Sequence, residues 1–243
     1  MIGEFGYLTF MKLFRKYLQP SLSDFQDLGC KLHHNFSIPI LELFPNAEDK
    51  QIQRITDEYY SLLSNLYDRK PSFLMEVDKE AGKLIYAFLR LQKPRVVMET
   101  GVAQGVSTFF ILNAMNNNEY GSLTSIDISP NVASILQDQE KVRWKLKILD
   151  VKNKPRNQFK QLLYEMDGLS MFLHDGDHSY VWQKMEYESA ITKIENGGIL
   201  ISDDIDSSYA FIDFIKEQKQ SGRIASYGVL VGQGKLFGYD KIQ

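Results

Sequence analysis

Five residues able to carry acid–base or metal chemistry stand in two short segments of the sequence. The segment HDGDHSY contains Asp175, Asp177 and His178, and the segment SDDI contains Asp203 and Asp204. Each segment follows a predicted strand, and we expect these strands to be close neighbours in one sheet, so that the five groups converge on one crevice. Converging carboxylates without a cation would repel one another and raise their pKa values. Neither segment contains Lys or Arg to supply that cation.

Two interpretations of these acids stay open. In the first, a divalent cation supplies the counter-charge, and the oxygen ligands favour Mg²⁺, Mn²⁺ or Ca²⁺ over zinc. In the second, two of the acids cap helices and the others face water.

A glycine turn lies earlier in the chain, in the stretch RVVMETGVAQGVST over 95–108. An apolar run predicts a strand that ends in an acid, Glu99, and a turn from Gly101 to Gly105 follows. Ser107 then leads into an apolar-periodic segment that is typical of a helix. Glycines let a ligand approach the backbone, and the first N–H groups of a helix favour an anionic group. The G-x-G-x-x-G pattern of nicotinamide-binding proteins is missing, and a glycine turn is also common as plain strand-to-helix punctuation.

Two further acids follow the next predicted strands. Asp127 lies at the end of the second strand, where a carboxylate binds the ribose diol in open α/β sheets. The alternative role for Asp127 is to cap the following helix. Asp150 ends the third strand, where an acid could meet an adenine amino group.

The elements that must position these residues alternate between strand and helix from residue 95 onward. This alternation predicts a doubly wound, mostly parallel sheet with helices on both faces. Five strand–helix units and a closing antiparallel pair give seven strands, predicted at 96–99, 122–128, 144–149, 170–174, 199–202, 226–231 and 235–239. Helices are predicted between them, including a short one at 131–139 and one that turns Val181, Met185, Ile191 and Ile194 inward.

The chain before this sheet reads as a helical preface. Helical spacing predicts helices over 48–69 and 74–92, whereas 21–49 reads as irregular with at most one short helix. Residues 1–20 show a helical apolar stripe, which favours packing on the main domain or on a second subunit; a basic amphipathic membrane-surface helix is the alternative. The domain prediction is therefore a helical extension over 1–74 and a sheet domain over 75–243, with a homodimer through the N-terminal helices.

Composition and charge limit the kinds of partner and location that we expect for this chain. The chain has 243 residues, of which 44% are hydrophobic and 24% charged, as expected for one globular domain. Its net charge of −3 gives no basic surface, so nucleic acid is not an expected partner. Apolar runs are too short to cross a bilayer, and the first residues do not read as a signal peptide, so a membrane is not expected either. The single cysteine, Cys30, fits a reducing cytoplasm and has no catalytic motif around it.

Four motifs, ETGVAQGVST, SIDIS, FLHDGDHSY and GGILISDDI, together carry a family resemblance. In this order and spacing they resemble class I S-adenosylmethionine-dependent methyltransferases, across about residues 75–241. Within that superfamily they resemble the group with a D-G-D-H-S-Y motif and a D-D pair, which is similar to metal-dependent small-molecule O-methyltransferases. The resemblance implies a Rossmann-like fold, S-adenosylmethionine as cofactor and a small-molecule acceptor, namely a hydroxyl of a sugar or natural product, with or without Mg²⁺. A catalytically silent cofactor-binding scaffold on the same fold is the alternative.

The resemblance also implies a role for each motif residue. The residues expected at the cofactor are Glu99, Gly101, Gly105, Ser107, Asp127, Asp150 and Asp175. Those expected at the metal are Asp175, Asp203 and Asp204. Either Asp177 or His178 is expected to be the general base. One departure is His174, which stands where many methyltransferases have an apolar strand residue.

Overall fold

The computed structural model of the chain describes residues 18–69, 78–232 and 236–243. Most of the predicted helix at 1–20, and the start of the one at 74–92, lie outside these ranges. Within them, the strands form one sheet, which confirms the predicted α/β class. In chain order the strands are β1 (Lys31–His33), β2 (Val96–Thr100), β3 (Ser122–Asp127), β4 (Trp144–Ile148), β5 (Leu169–His174), β6 (Ile194–Ser202), β7 (Ile224–Val231) and β8 (Leu236–Ile242).

The helices cover both faces of this sheet. In chain order they are α1 (Leu22–Asp27), α2 (Ser37–Leu43), α3 (Asp49–Arg69), α4 (Lys79–Gln92), α5 (Val106–Asn118), α6 (Pro155–Tyr164), α7 (Tyr180–Ala190) and α8 (Ala210–Ser221). Helices α3, α4 and α5 bury their apolar sides in one core, and α6, α7 and α8 bury theirs in a second core on the opposite face. This two-sided burial confirms the doubly wound arrangement.

The strand order is β1-β7-β8-β6-β5-β2-β3-β4. Strands β2 to β6 pair in parallel, and β8 runs antiparallel to both β6 and β7, as predicted for the C-terminal pair. From β2 the chain first builds outward through β3 and β4 and then returns to place β5 on the other side of β2. The boundary between β2 and β5 is therefore the switch point at which open α/β sheets bind ligands.

The prediction of seven strands was wrong by one among the described residues. The additional strand is β1, which pairs in parallel with β7 at the sheet edge, so that Lys31 lies opposite Gly228. It comes from the stretch 21–49 that the sequence predicted as irregular, and α1 and α2 flank it. The division at residue 74 stays a prediction, although β1 places part of the first segment within the sheet.

The predicted helix at 131–139 was also wrong. Ala133 takes a left-handed backbone conformation (φ +57°), which interrupts an α-helix, and its N–H donates to the carbonyl of Ala103 in the glycine turn. A 3₁₀ helix forms later instead, over Asp138–Arg143. This segment therefore packs as a loop on the turn that precedes α5.

Of the four residues predicted to turn inward around α7, Met185, Ile191 and Ile194 are buried, and Val181 is the exception. Val181 is 38% exposed, whereas the polar side chains of Gln183 and Glu186 and the ring of Tyr187 are buried. No helix in the described ranges is both long enough and apolar enough to cross a bilayer.

An isolated carboxyl group lies in the second core. Asp240 of β8 is fully buried, and neither of its carboxyl oxygens has a hydrogen-bond partner among the described residues. Burial raises the pKa of Asp240 well above its usual 3.8, since the charged form loses its hydration.

We expect Asp240 to make folding stability fall as pH rises. The unfolded chain releases this proton above 3.8, while the folded protein retains it until its own higher pKa. Between these two values the free energy of unfolding should fall by about 1.4 kcal/mol per pH unit because of this group. Urea unfolding from about pH 5 upward should therefore show a shallower pH dependence for Asp240→Asn than for the wild type. Parallel curves would contradict the burial of a proton at Asp240.

Candidate active site

The glycine turn between β2 and α5 is pressed against the end of β5. Gly101 has φ +80°, and a Cβ placed on it would lie 1.8 Å from the carbonyl oxygen of Asp175. Gly105 has φ +96°, and its Cβ would lie 2.9 Å from the Cα of Ala133. Both positions thus require glycine, for conformation and for space. The turn brings the β2 end and the HDGDHSY loop into direct backbone contact.

Glu99 is fully buried. It is the second-to-last residue of β2, just before this turn. Its carboxylate accepts hydrogen bonds from Ser107 Oγ (2.5 Å), Thr108 Oγ1 (2.8 Å) and Ser125 Oγ (2.7 Å). Burial raises the pKa of Glu99, and the three hydroxyl donors oppose that shift. The carboxylate therefore joins β2, the first turn of α5 and β3. The roles of Glu99 and Ser107 in cofactor binding stay predictions. In the structure their hydrogen bond holds the shape of the turn.

Asp127 fastens the same turn from the β3 side. Its Oδ2 accepts the N–H of Val102 at 2.9 Å, and its Oδ1 accepts the N–H groups of Ile128 (2.7 Å) and Ser129 (2.9 Å). No α-helix follows directly, so the carboxylate caps a loop rather than a helix. Asp150 is exposed beyond the edge strand β4, and its Oδ1 accepts the N–H of Lys152 within a turn.

The two acidic segments meet beside Gly101. The Nε2 atom of His178 lies 3.5 Å from Asp204 Oδ2 and 4.0 Å from Asp175 Oδ1. All three side chains are about one-quarter exposed, so they border solvent at the carboxyl edge of the sheet. The structure thus brings together Asp175, His178 and Asp204, with the imidazole between two carboxylates.

Asp203 and Asp177 are placed differently from these three. Asp203 is almost fully buried, and its Oδ1 accepts the N–H of Asp204, which has a left-handed backbone (φ +46°). Asp177 is exposed, and its Oδ1 accepts the N–H of Ser179 just before α7. Both carboxylates therefore shape their own loops.

The predicted metal ligands do not assemble as a cation site. In the described ranges no group of three or more His, Cys, Asp or Glu side chains is arranged to hold an ion. Asp203 Oδ1 accepts the N–H of Asp204, and His178 approaches both Asp175 and Asp204. As they are placed, these donors do not fit a divalent ion.

Sequence reasoning missed a buried network directly below this cluster. Glu186 of α7 accepts hydrogen bonds from Thr100 Oγ1 (2.7 Å), from His174 Nδ1 (2.6 Å) and from Trp182 Nε1 (2.6 Å). The available signal was the polar residue that ends each otherwise apolar strand, Thr100 in β2 and His174 in β5.

Cys30 is far in the sequence from the residues of the candidate site, and its buried thiol is not suited to react as a nucleophile. Burial raises the pKa of its thiol to about 12, so the nucleophilic thiolate is disfavoured. The thiol packs in the second core, with Phe25 and Leu28.

Comparisons with known proteins give one family match over part of the chain and several fold matches. Residues 98–205 match the sequence profile of a family described as a methyltransferase domain. No curated protein matches the chain significantly. The match and the fold confirm the resemblance drawn from the four motifs.

Solved methyltransferases share the fold at low sequence identity. The O-methyltransferase from Bacillus cereus in complex with SAH has a TM-score of 0.55 at 13% identity, covering 86% of this chain and 98% of that one. TomG from Streptomyces achromogenes, an O-methyltransferase of tomaymycin synthesis solved with SAM, has 0.54 at 15%, covering 86% and 97%. The SAH-bound methyltransferase PaMTH1 from Podospora anserina has 0.55 at 11%, covering 81% and 97%.

We expect Gly101→Ala to destabilise the protein more than Gly222→Ala. Both glycines have positive φ, which costs alanine about 1–2 kcal/mol, but a Cβ at Gly222 meets nothing within 4 Å. At Gly101 the clash with Asp175 adds about 1–3 kcal/mol for overpacking. Urea unfolding of both variants measures the difference. Equal losses would mean that the turn relaxes away from Asp175 without cost.

Proposed function

We propose that the chain is an S-adenosylmethionine-dependent methyltransferase that transfers the methyl group to a hydroxyl of a small molecule. The observation that carries this proposal is the contact of the glycine turn with the Asp175–His178–Asp204 cluster at the sheet's switch point. The fold neighbours from Bacillus cereus and Streptomyces achromogenes are O-methyltransferases, which favours oxygen as the acceptor atom. A sugar or natural-product hydroxyl is the acceptor class we propose.

We propose that the cofactor lies across the turn, with its methionine part at Gly101 and Gly105. Asp127 can still receive a ribose hydroxyl, because Oδ2 accepts one backbone N–H and a carboxylate oxygen has two lone pairs. Ile128 follows it and is 65% exposed, which offers an apolar surface to the adenine ring. Asp150, beyond the neighbouring strand, is the proposed partner of the adenine amino group.

Of the two candidate bases we propose His178. The carboxylate of Asp177 already accepts the N–H of Ser179, whereas Nε2 of His178 faces Asp175 and Asp204. Methyl transfer is an in-line displacement at the sulfonium methyl, so catalysis depends chiefly on placing the acceptor oxygen behind that carbon. With its hydrogen on Nδ1, His178 would take the acceptor's proton at Nε2 as the acceptor O–H bond breaks. The acceptor oxygen would bond to the methyl carbon while the carbon–sulfur bond of the sulfonium breaks, and the two carboxylates stabilise the imidazolium formed.

The proposed mechanism contains no metal-dependent step, since the predicted ligands do not fit an ion as placed. The metal assistance implied by the family resemblance stays a prediction. A loss of turnover in EDTA that Mg²⁺ restores would support it.

Calorimetry with S-adenosylmethionine and with NAD⁺ tests the cofactor. We expect heat of binding with the first and none with the second. The enzyme should then move a ¹³C-methyl group from labelled cofactor onto one component of a mixture of hydroxylated small molecules, which mass spectrometry detects. Cofactor binding without a methylated product in any mixture would favour the silent scaffold.

We expect His178→Gln to lower kcat about a hundredfold or more while leaving cofactor affinity close to that of the wild type, because it removes only proton transfer. Asp177→Asn is the matched control, adjacent in sequence and expected to retain most of the rate. Steady-state kinetics on the acceptor found above measures both. The reverse order of effects would move the base to Asp177.

The homodimer through the N-terminal helices and the cytoplasmic location stay predictions. Analytical ultracentrifugation of the full chain tests the first. A sedimentation coefficient that does not change with concentration and fits one chain would contradict a dimer.

A further inference from the structure

Three neighbouring strands end in buried polar side chains that lie side by side. Thr100 of β2 is the register partner of His174 of β5, which is in turn the partner of Ser202 of β6. Their exposed fractions are 3%, 0% and 0%. We call these three residues the strand-end row. Buried polar groups without partners are costly, so a row of them at strand ends must be bonded to something.

One helix supplies those bonds. Glu186 of α7 receives Thr100 Oγ1 at 2.7 Å and His174 Nδ1 at 2.6 Å on the same oxygen, Oε2. The next residue, Tyr187, has its hydroxyl 2.5 Å from that of Ser202. Two consecutive residues of α7 therefore hold the ends of three strands.

Each row residue directly precedes a residue of the proposed site or, for Ser202, of the loop that carries one. Thr100 precedes Gly101, His174 precedes Asp175, and Ser202 precedes Asp203. The backbone repeats the linkage, because Asp175 N–H donates to the carbonyl of Thr100 and Asp203 N–H donates to that of His174, both at 2.9 Å. A shift of the row would therefore move the glycine turn and both acidic segments.

The row also borders the proposed base. The imidazole of His174 meets that of His178 edge to face, with centroids 5.5 Å apart and planes at 88°. Glu186 assigns the hydrogen of His174 to Nδ1, since a carboxylate accepts and the nitrogen must donate. Nε2 of His174 is buried and has no hydrogen-bond partner in the described part of the chain, which fits a neutral ring.

We propose that Glu186 is a positioning residue: it fixes the strand-end row, and through His174 and Thr100 it holds the His178 ring and the Gly101 turn in their working geometry. This inference rests on the proposed function, because it acts through the base and the cofactor turn assigned there.

Glu186→Gln tests the proposal. A carboxamide keeps the shape but replaces one acceptor oxygen with an NH₂ donor, which must face either Trp182 Nε1–H or the Thr100 and His174 donors. The control is Glu140→Gln, another buried glutamate, which binds Arg69 and lies outside the row. Both variants lose stability on urea unfolding.

The distinguishing readouts are cofactor affinity and the histidine ring signals. By calorimetry with S-adenosylmethionine, Glu186→Gln binds about tenfold more weakly than wild type, a factor in the range for an unsatisfied buried donor, and Glu140→Gln binds normally. In ¹H–¹⁵N spectra of the ring nitrogens, only Glu186→Gln shifts both the His174 and His178 signals. The chain has four histidines, so single substitutions assign these signals.

Two further variants keep the test decisive if Glu186→Gln fails to fold. Thr100→Val removes one Oε2 donor without changing shape, and it weakens cofactor binding and shifts the His178 signal in the same direction. Trp182→Phe removes the Oε1 donor and part of a ring that packs against the second core, keeps both donors to Oε2, and leaves cofactor binding and the His178 signal unchanged. Wild-type affinity and unshifted His178 signals in Thr100→Val, with the same result in Glu186→Gln if that variant folds, overturn the inference. Absence of cofactor binding by the wild type instead overturns the proposed function, and the ring signals still report on the row.

Discussion

The site depends on how closely two backbones approach at the switch point of the sheet. Gly101 lies so near the carbonyl of Asp175 that no side chain fits between them, and Gly105 is similarly close to Ala133. This approach joins a turn after β2 to a loop after β5, which are distant in sequence. The turn proposed to bind the cofactor and the loop that carries the proposed base are therefore in direct backbone contact.

Most acids of the motifs form hydrogen bonds that hold this turn and the neighbouring loops in place. Glu99 is enclosed by three hydroxyls, Asp127 binds three backbone N–H groups, and Asp203 binds the next residue's N–H. A carboxylate is well suited to this task because it accepts several hydrogen bonds at once. Of the acids in the two segments after β5 and β6, Asp175 and Asp204 are the pair that faces the imidazole of His178.

The sequence predicted the parts of the fold that repeat a strong pattern. Apolar runs placed β2, β3, β5 and β6, and the glycine turn placed the start of α5. Strand β1 has three residues and little pattern of its own, and it exists because β7 offers it an edge. The loop at 131–139 was predicted as a helix because periodicity does not encode the left-handed backbone of Ala133, whose N–H bonds to Ala103.

The site was predictable to the level of segments rather than of contacts. The motifs identified which loops meet, but not that His178 stands between Asp175 and Asp204 where a metal was predicted. Helix α7 shows why, since an apolar-stripe argument turned Val181 inward and made no prediction for Glu186. In the folded chain Glu186 is buried, because three donors from the strand ends and from Trp182 require it there. These donors come together only in the folded chain, where strands that are far apart in the sequence are neighbours. The sequence pattern therefore does not show that Glu186 is buried.

The position of β1 has a consequence for how the chain is made. This strand comes from near the beginning of the sequence, yet its sheet partner is β7, and the carbonyl of Leu28 just before it accepts bonds from Lys219 and Tyr227. During synthesis β1 leaves the ribosome well before β7, so this edge of the sheet stays open until β7 has been made. Contacts of such long sequence separation are entropically slow to close. Strand β1 thus stays unpaired while the strands and helices between it and β7 are made, and the two strands join the sheet together.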